Sequence, residues 1–134
     1  MILLDTNICI YVMRGHPPAV YARFDAQTEP LGVSIVTVAE LEYGVQNSSQ
    51  RLKNARALDK FLDQLQIVPW DRACAKQYAK IRSQTKSQPI GTEDVMIAAT
   101  ALALNALLVT NNGREFARID GLRWENWVDP SAMH

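Results

Sequence analysis

Three carboxylates and one amide stand where they could act together: Asp5, Glu40, Asp94 and Asn112. Asp5 ends the apolar run Met1-Ile2-Leu3-Leu4, and Glu40 falls in the first helical turn after the run Leu31 to Val36. Asp94 opens the apolar stretch Val95 to Leu104, and Asn112 follows Ala106 to Thr110. Carboxylates brought together repel and raise one another's pKa values, so such a cluster usually exists to hold a cation. Oxygen donors with no His or Cys nearby select Mg²⁺, with Mn²⁺ as a substitute, over zinc. A divalent ion held by few protein ligands and several waters suits phosphodiester hydrolysis, with water as the nucleophile. No Cys-His pair, Gly-x-Ser-x-Gly or P-loop is present to support a covalent route or triphosphate binding.

Each residue also has a purely structural reading. Glu40 stands three residues after Thr37, the spacing of a capping box, and its charge would favour the helix dipole by ~0.3 to 1 kcal/mol. Asp5 can be an Asx-type cap, Asn112 a helix N-cap, and Glu93 and Asp94 dipole-complementing acids behind Thr92. Their joint placement is what favours a site.

That placement depends on the elements between them. Apolar runs of strand length alternate with helical stretches. Strands are expected at Met1–Leu4, Leu31–Val36, Ile67–Trp70 and Ala106–Thr110, with a possible edge strand at Arg123–Trp127. Pro69 marks Ile67–Trp70 as an edge or an end. Helices are expected from Ile8 to Met13, Ala19 to Asp25, Thr37 to Gln46, around Leu58, Phe61, Leu62 and Leu65, and after the cap Asp71. Ser83 to Gln88 reads as a loop, and Val95–Leu104 as a helix buried nearly all round. The alternation predicts an α/β fold with three layers and a mostly parallel central sheet, in one domain spanning residues 1–134. In such a sheet the site lies at the carboxyl ends of the strands.

The 134 residues include 48% hydrophobic ones, enough to bury a core without disulfides or a structural metal. The two cysteines, Cys9 and Cys74, form no CxxC or Cys/His cluster, so reduced thiols and a cytoplasmic location are expected. The N-terminal apolar run is too short for a signal peptide, and no membrane span is expected. Fourteen basic residues balance fourteen acids, yet nine of the basic ones and only three acids lie between Arg51 and Lys86. That asymmetry points to a basic surface beside an acidic site, although solvated helix faces give similar counts.

The sequence resembles PIN-domain ribonucleases, and within them the VapC-type toxins of toxin-antitoxin pairs. The matching segments are Leu4-Asp5-Thr6-Asn7, Thr37-Val38-Ala39-Glu40-Leu41 with Tyr43-Gly44, Ile90-Gly91 with Asp94 to Ala99, and Leu108 to Asn112 with Glu115-Phe116. The resemblance implies a PIN-like fold in which Asp5 and Asp94 bind Mg²⁺ and Glu40 joins them directly or through water. It places Asn112 where many such domains carry Asp, for orienting water or substrate, and gives Thr6 a supporting role beside Asp5. Glu42 and Glu93 fall outside the pattern and are expected to be peripheral, and Trp124 and Trp127 to be packing residues. It further implies cleavage of structured RNA, such as a tRNA or an rRNA loop, which stops translation. A VapB-type antitoxin would block the site, a homodimer would form, and operator DNA would be bound only through the antitoxin complex. Arg14, His16, Arg114 and Lys86 are candidates for contact with RNA phosphates.

Three other readings compete. One is a PIN nuclease of RNA or DNA processing without an antitoxin. Another is a catalytically weak PIN-like binding module, since Asn112 leaves the site one carboxylate short. Phosphoryl transfer through an aspartyl intermediate fits poorly, because Asn7 stands where a second Asp is needed.

Overall fold

The computed structural model describes residues 1–128. Strand β1 (Ile2–Leu4) runs into helix α1 (Thr6–Arg14), which ends on Gly15 in the left-handed conformation, φ 68°. There the Gly15 N–H reaches back to the Tyr11 and Val12 carbonyls, a turn that side chains with a Cβ resist. Helix α2 (Pro18–Asp25), with proline at its first position, leads to strand β2 (Leu31–Ser34) and helix α3 (Ile35–Gln46). Next come helix α4 (Arg51–Leu62), strand β3 (Gln66–Val68) and helix α5 (Arg72–Gln84). Helix α6 (Thr92–Leu104), strand β4 (Leu107–Val109), the short helix α7 (Gly113–Phe116) and strand β5 (Trp124–Glu125) complete the fold.

The five strands lie in the order β3-β2-β1-β4-β5, and every pairing is parallel. The expected mostly parallel sheet is thus wholly parallel. Its strands are short and its middle is apolar on both faces, as helices on both sides require. Ile2 and Leu4 face one layer, where they pack with Val33, Val109, Ile8, Val38, Leu41, Leu58 and Phe61 from α1, α3, α4 and the neighbouring strands. Leu3, between them, faces the other, with Leu108 of β4 and Ile81, Val95, Ala98 and Phe116 from α5, α6 and α7. The edge strand β5 is tied across the fold by a 2.7 Å ion pair between Glu125 and Arg23, whose guanidinium also stands over the buried Trp127 ring. No helix among the described residues is long and apolar enough to cross a membrane.

Several element boundaries move from their expected places. Helix α3 starts at Ile35, not Thr37, and its N-cap is Ser34, whose hydroxyl accepts from the Val36 N–H at 3.1 Å. Thr37 is consequently a buried residue inside the helix, and the capping box with Glu40 does not form. Strand and helix join here without a loop, so the apolar run Val33 to Val36 carries no mark of where one becomes the other. Helix α5 extends through Ser83 and Gln84, expected in a loop, and Leu65 lies beyond the end of α4. The basic stretch is divided: α4 packs in the layer with α1 to α3, and α5 packs against α6 in the opposite one.

The strand order also reveals where a site belongs. From β1 the chain steps outward through β2 to β3, then crosses back to place β4 on the other side of β1. A crevice opens at the carboxyl ends of strands flanking such a reversal. Asp5 directly follows β1 and Asn112 lies three residues beyond β4.

Candidate active site

Asp5 leaves β1 in extended backbone and caps α1, its carboxylate accepting from the Ile8 N–H at 2.9 Å. The capping role is therefore present, but it uses only part of the carboxylate. The side chain also lines an open cleft of about 500 Å³ with Thr6, Glu40, Glu93, Asp94 and Asn112. Burial pushes the Asp5 pKa up to about 6; hydrogen bonds from Thr110 and Ile8 pull the other way, and the Asp94 charge adds to the rise. Thr110, buried just past β4, is a junction: it hydrogen-bonds Asp5, and its Oγ1 accepts from the Asn112 backbone N–H at 2.9 Å.

Asn112 occupies the N-cap position of α7 but makes no side-chain cap bond. Its amide instead reaches across the cleft, Nδ2 donating to Asp94 Oδ2 at 3.1 Å. Asp94 sits in the first turn of α6, half-exposed at the head of an otherwise buried helix. Its pKa is raised, chiefly by burial and further by the Glu115 charge, while the Asn112 bond opposes the rise.

Glu40 enters from α3, whose position is set by buried hydroxyls. Thr6 donates to Thr37 Oγ1 at 3.2 Å, which ties α1 to α3. Thr100 Oγ1 lies 3.4 Å from Ser34 Oγ, which ties α6 to the start of α3. The helices carrying Thr6, Glu40 and Asp94 are thus pinned to one another directly beneath the cleft.

Glu93, expected to be peripheral, is a wall of the cleft. Its pKa is raised, first by partial desolvation and then by a hydrogen-bonding carboxylate contact with Glu40 and the charges of Glu40 and Asp94. Asn111 was not anticipated; it lines the cleft and donates from Nδ2 to the Tyr11 hydroxyl at 3.0 Å. Its only signal was adjacency to Asn112. Glu42 is exposed outside the cleft.

None of the four basic candidates lines the acidic cleft. Arg14 lies in an apolar groove of about 270 Å³ with Ile10, Met13, Leu41 and Leu58, and Glu40 borders both groove and cleft. Lys86 lies with Arg82, Thr85, Pro89 and Ile90 in a hollow just ahead of α6. His16 and Arg114 are exposed, Arg114 two residues beyond Asn112.

The donor set is entirely oxygen: carboxylates, amides and the Thr6 hydroxyl. Cys9 is fully buried and the Asp5 charge raises its pKa further, so no thiolate is available. Among the described residues no group of three His, Cys, Asp or Glu side chains forms a ready cage for a metal ion. An open carboxylate cleft of this kind fits a hard cation that keeps several waters and takes one or two carboxylates from the protein. Zinc would require N or S donors in a closed tetrahedron.

Fold and cleft together define a class. The PIN domain family matches residues 2–122, and the chain belongs to that family. It is 40% identical over 129 residues to Ribonuclease VapC2 of Rickettsia felis, covering 93% of this chain and 96% of the relative. It is 37% identical over 127 residues to the tRNA(fMet)-specific endonuclease VapC of Shigella flexneri, covering 93% and 96%. Among solved structures it is similar to VapBC2 from Rickettsia felis bound to a DNA fragment from their promoter, with a TM-score of 0.87 and 39% identity over 95% of this chain and 99% of that one.

Proposed function

We propose that this protein is a metal-dependent endoribonuclease toxin of the VapC type, cutting phosphodiester bonds in structured RNA and held in check by a VapB-type antitoxin. The observation that carries the reading is one cleft at the sheet's reversal point lined by Asp5, Glu40 and Asp94, with Asn112 bonded to Asp94, in a relative of named ribonucleases. Asp5 and Asp94 are the residues to hold Mg²⁺, or Mn²⁺ in its place, with Glu40 acting directly or through water. When bound, the ion neutralises charge on the phosphodiester and makes water a competent nucleophile. Asn112 holds the Asp94 carboxylate in a single orientation, and Thr6 supports the approach of α3. Glu93 belongs with Glu40 as a second-rank acid of the cleft.

The name of the Shigella relative makes initiator tRNA the first substrate to test. RNA would be drawn to the cleft by basic residues outside it, with Arg14, His16, Arg114 and Lys86 as candidates. The apolar groove at Glu40 offers an antitoxin segment a hydrophobic seat next to the acids, where one basic side chain would neutralise them. Operator DNA would be bound by the toxin-antitoxin complex, as in the promoter-bound relative, and a homodimer working in the cytoplasm completes the reading.

The test is cleavage of purified cellular RNA and of initiator tRNA by antitoxin-free protein, in Mg²⁺, Mn²⁺ or EDTA, with the new ends mapped. Discrete ends that need the metal and are lost in Asp5→Asn and Asp94→Asn are expected. If the wild type cuts nothing that these variants spare, the nuclease reading fails and a binding role through a partner replaces it.

A further inference from the structure

Gly113 and Trp124 meet more closely than any side chain at position 113 would allow. A Cβ built on Gly113 would stand 2.6 Å from both Cη2 and Cζ3 of the Trp124 indole, well inside van der Waals contact. Gly113 lies in helical backbone at the first position of α7, and its φ is not positive. Its conformation is therefore one that alanine adopts freely, and the indole is the obstacle.

The indole is held in place from the other side. Trp124 pairs with Leu108 in the β4–β5 ladder, where the Leu108 N–H donates to the Arg123 carbonyl and the Thr110 N–H to the Glu125 carbonyl. Both backbone bonds flanking Trp124 thus run to the strand that leads into the cleft. The start of α7 rests against this fixed ring, and the residue before Gly113 is Asn112. The Asn112 carbonyl accepts from the Glu115 and Phe116 N–H groups, its N–H donates to Thr110, and its amide donates to Asp94. Asn112 therefore moves with α7.

We propose that Trp124 is a positioning residue of the acidic cleft: its indole, pressed on Gly113, sets the depth of α7 and so places the Asn112 amide on the Asp94 carboxylate. Trp124 is not among the residues that line the cleft. The inference rests on the proposed nuclease reading only for its effect on cleavage; the placement itself can be read without activity.

The experiment compares wild type, Gly113→Ala, Trp124→Leu and the double variant Gly113→Ala/Trp124→Leu, in which the shorter side chain makes room for the new methyl. The readouts are the ¹⁵N side-chain amide signal of Asn112, assigned by its loss in Asn112→Asp, and Mn²⁺ affinity by calorimetry, with Mg²⁺-dependent kcat and KM beside them. In Gly113→Ala the amide signal should shift to the solvent-exposed position and metal affinity and kcat should fall about tenfold, the usual loss when a supporting contact to a ligand is broken. In the double variant the signal and the affinity should return.

Gly113→Ala with the wild-type signal and wild-type Mn²⁺ affinity overturns the proposal. So does a folded double variant that does not recover, because the glycine is then needed for something other than the ring. If Gly113→Ala does not fold, the double variant decides alone: recovery of fold and signal supports the wedge, and failure of either overturns it. A wild type with no metal-dependent cleavage refutes the nuclease reading, while the amide comparison still decides the positioning.

Discussion

At neutral pH Asp5 is ionised where burial favours the protonated acid. Its pKa in the folded chain is about 6, raised from an ordinary 3.8 chiefly by desolvation. Between those values the folded protein holds more protons than the unfolded one, so stability falls as pH rises from about 4 to about 6 and then levels off. Asp5→Asn keeps an acceptor for the Ile8 N–H and removes the buried charge. In EDTA at neutral pH it should raise unfolding stability by roughly 3 kcal/mol, and near pH 4 the difference should vanish; with Mg²⁺ present it should abolish cleavage. Urea unfolding at the two pH values checks this; a variant less stable than wild type at neutral pH would mean that the carboxylate's hydrogen bonds outweigh its burial. The same protons compete with metal, so the stabilisation conferred by Mn²⁺ should grow as pH rises through about 6 in the wild type. It should be small in Asp5→Asn at any pH, as thermal melts with and without Mn²⁺ would show.

The helices around the cleft are positioned by hydroxyls more than by their own caps. Thr37→Val fills the same volume but removes the acceptor for the Thr6 hydroxyl, which should cost about 1 kcal/mol. It should also lower kcat with little effect on stability beyond that, because Glu40 lies one turn along α3. Thr37→Ser, which keeps the oxygen, should restore kcat; equal activity in both variants would assign the Thr6–Thr37 contact to packing alone. Ser34→Ala loses the cap of α3 and the contact with Thr100 together, and a destabilisation of ~1 kcal/mol is expected from the cap. These elements also mark how far the sequence could be read. Asp5 and Asp71 were visible as caps because each follows an apolar run and starts a helical period, and both accept from the third residue on. Ser34 was not visible, since β2 and α3 share one apolar run and Thr37 with Glu40 imitates a capping box. Glu93 escaped for a different reason: its neighbour in the cleft is Glu40, more than fifty positions away on another helix, and no local pattern records that approach. The Gly113–Trp124 contact is hidden likewise, since a glycine at a helix start gives no sign of what lies against it.

At the scale of the whole molecule, the parallel sheet and its reversal between β1 and β4 explain how a chain with no net charge can serve RNA. Asp5, Glu40, Glu93 and Asp94 line one cleft, and the basic Arg51–Lys86 stretch is divided between the two helical layers. Alternating strands and helices made the sheet legible, but not the division of the Arg51–Lys86 stretch between opposite layers, because layer assignment depends on where β3 pairs. That division makes the direction of RNA approach testable. Arg82 and Lys86 share a hollow immediately ahead of α6, which carries Glu93 and Asp94. Lys53 and Arg56 are exposed on α4, in the layer opposite α6. RNA bound along the α6 side should lose phosphate contacts when Arg82 and Lys86 are replaced by Ala, and none when Lys53 and Arg56 are. With Asp94→Asn protein to prevent cleavage, the slope of log Kd against log salt should flatten by about 0.7 for each contact removed from single-stranded RNA. An unchanged slope in Arg82→Ala/Lys86→Ala and a flattened one in Lys53→Ala/Arg56→Ala would put the RNA path over α4. RNA and antitoxin would then approach on the same side, since Asn54, Ala57 and Leu58 of that helix line the apolar groove at Glu40, and inhibition would follow from direct competition for that side.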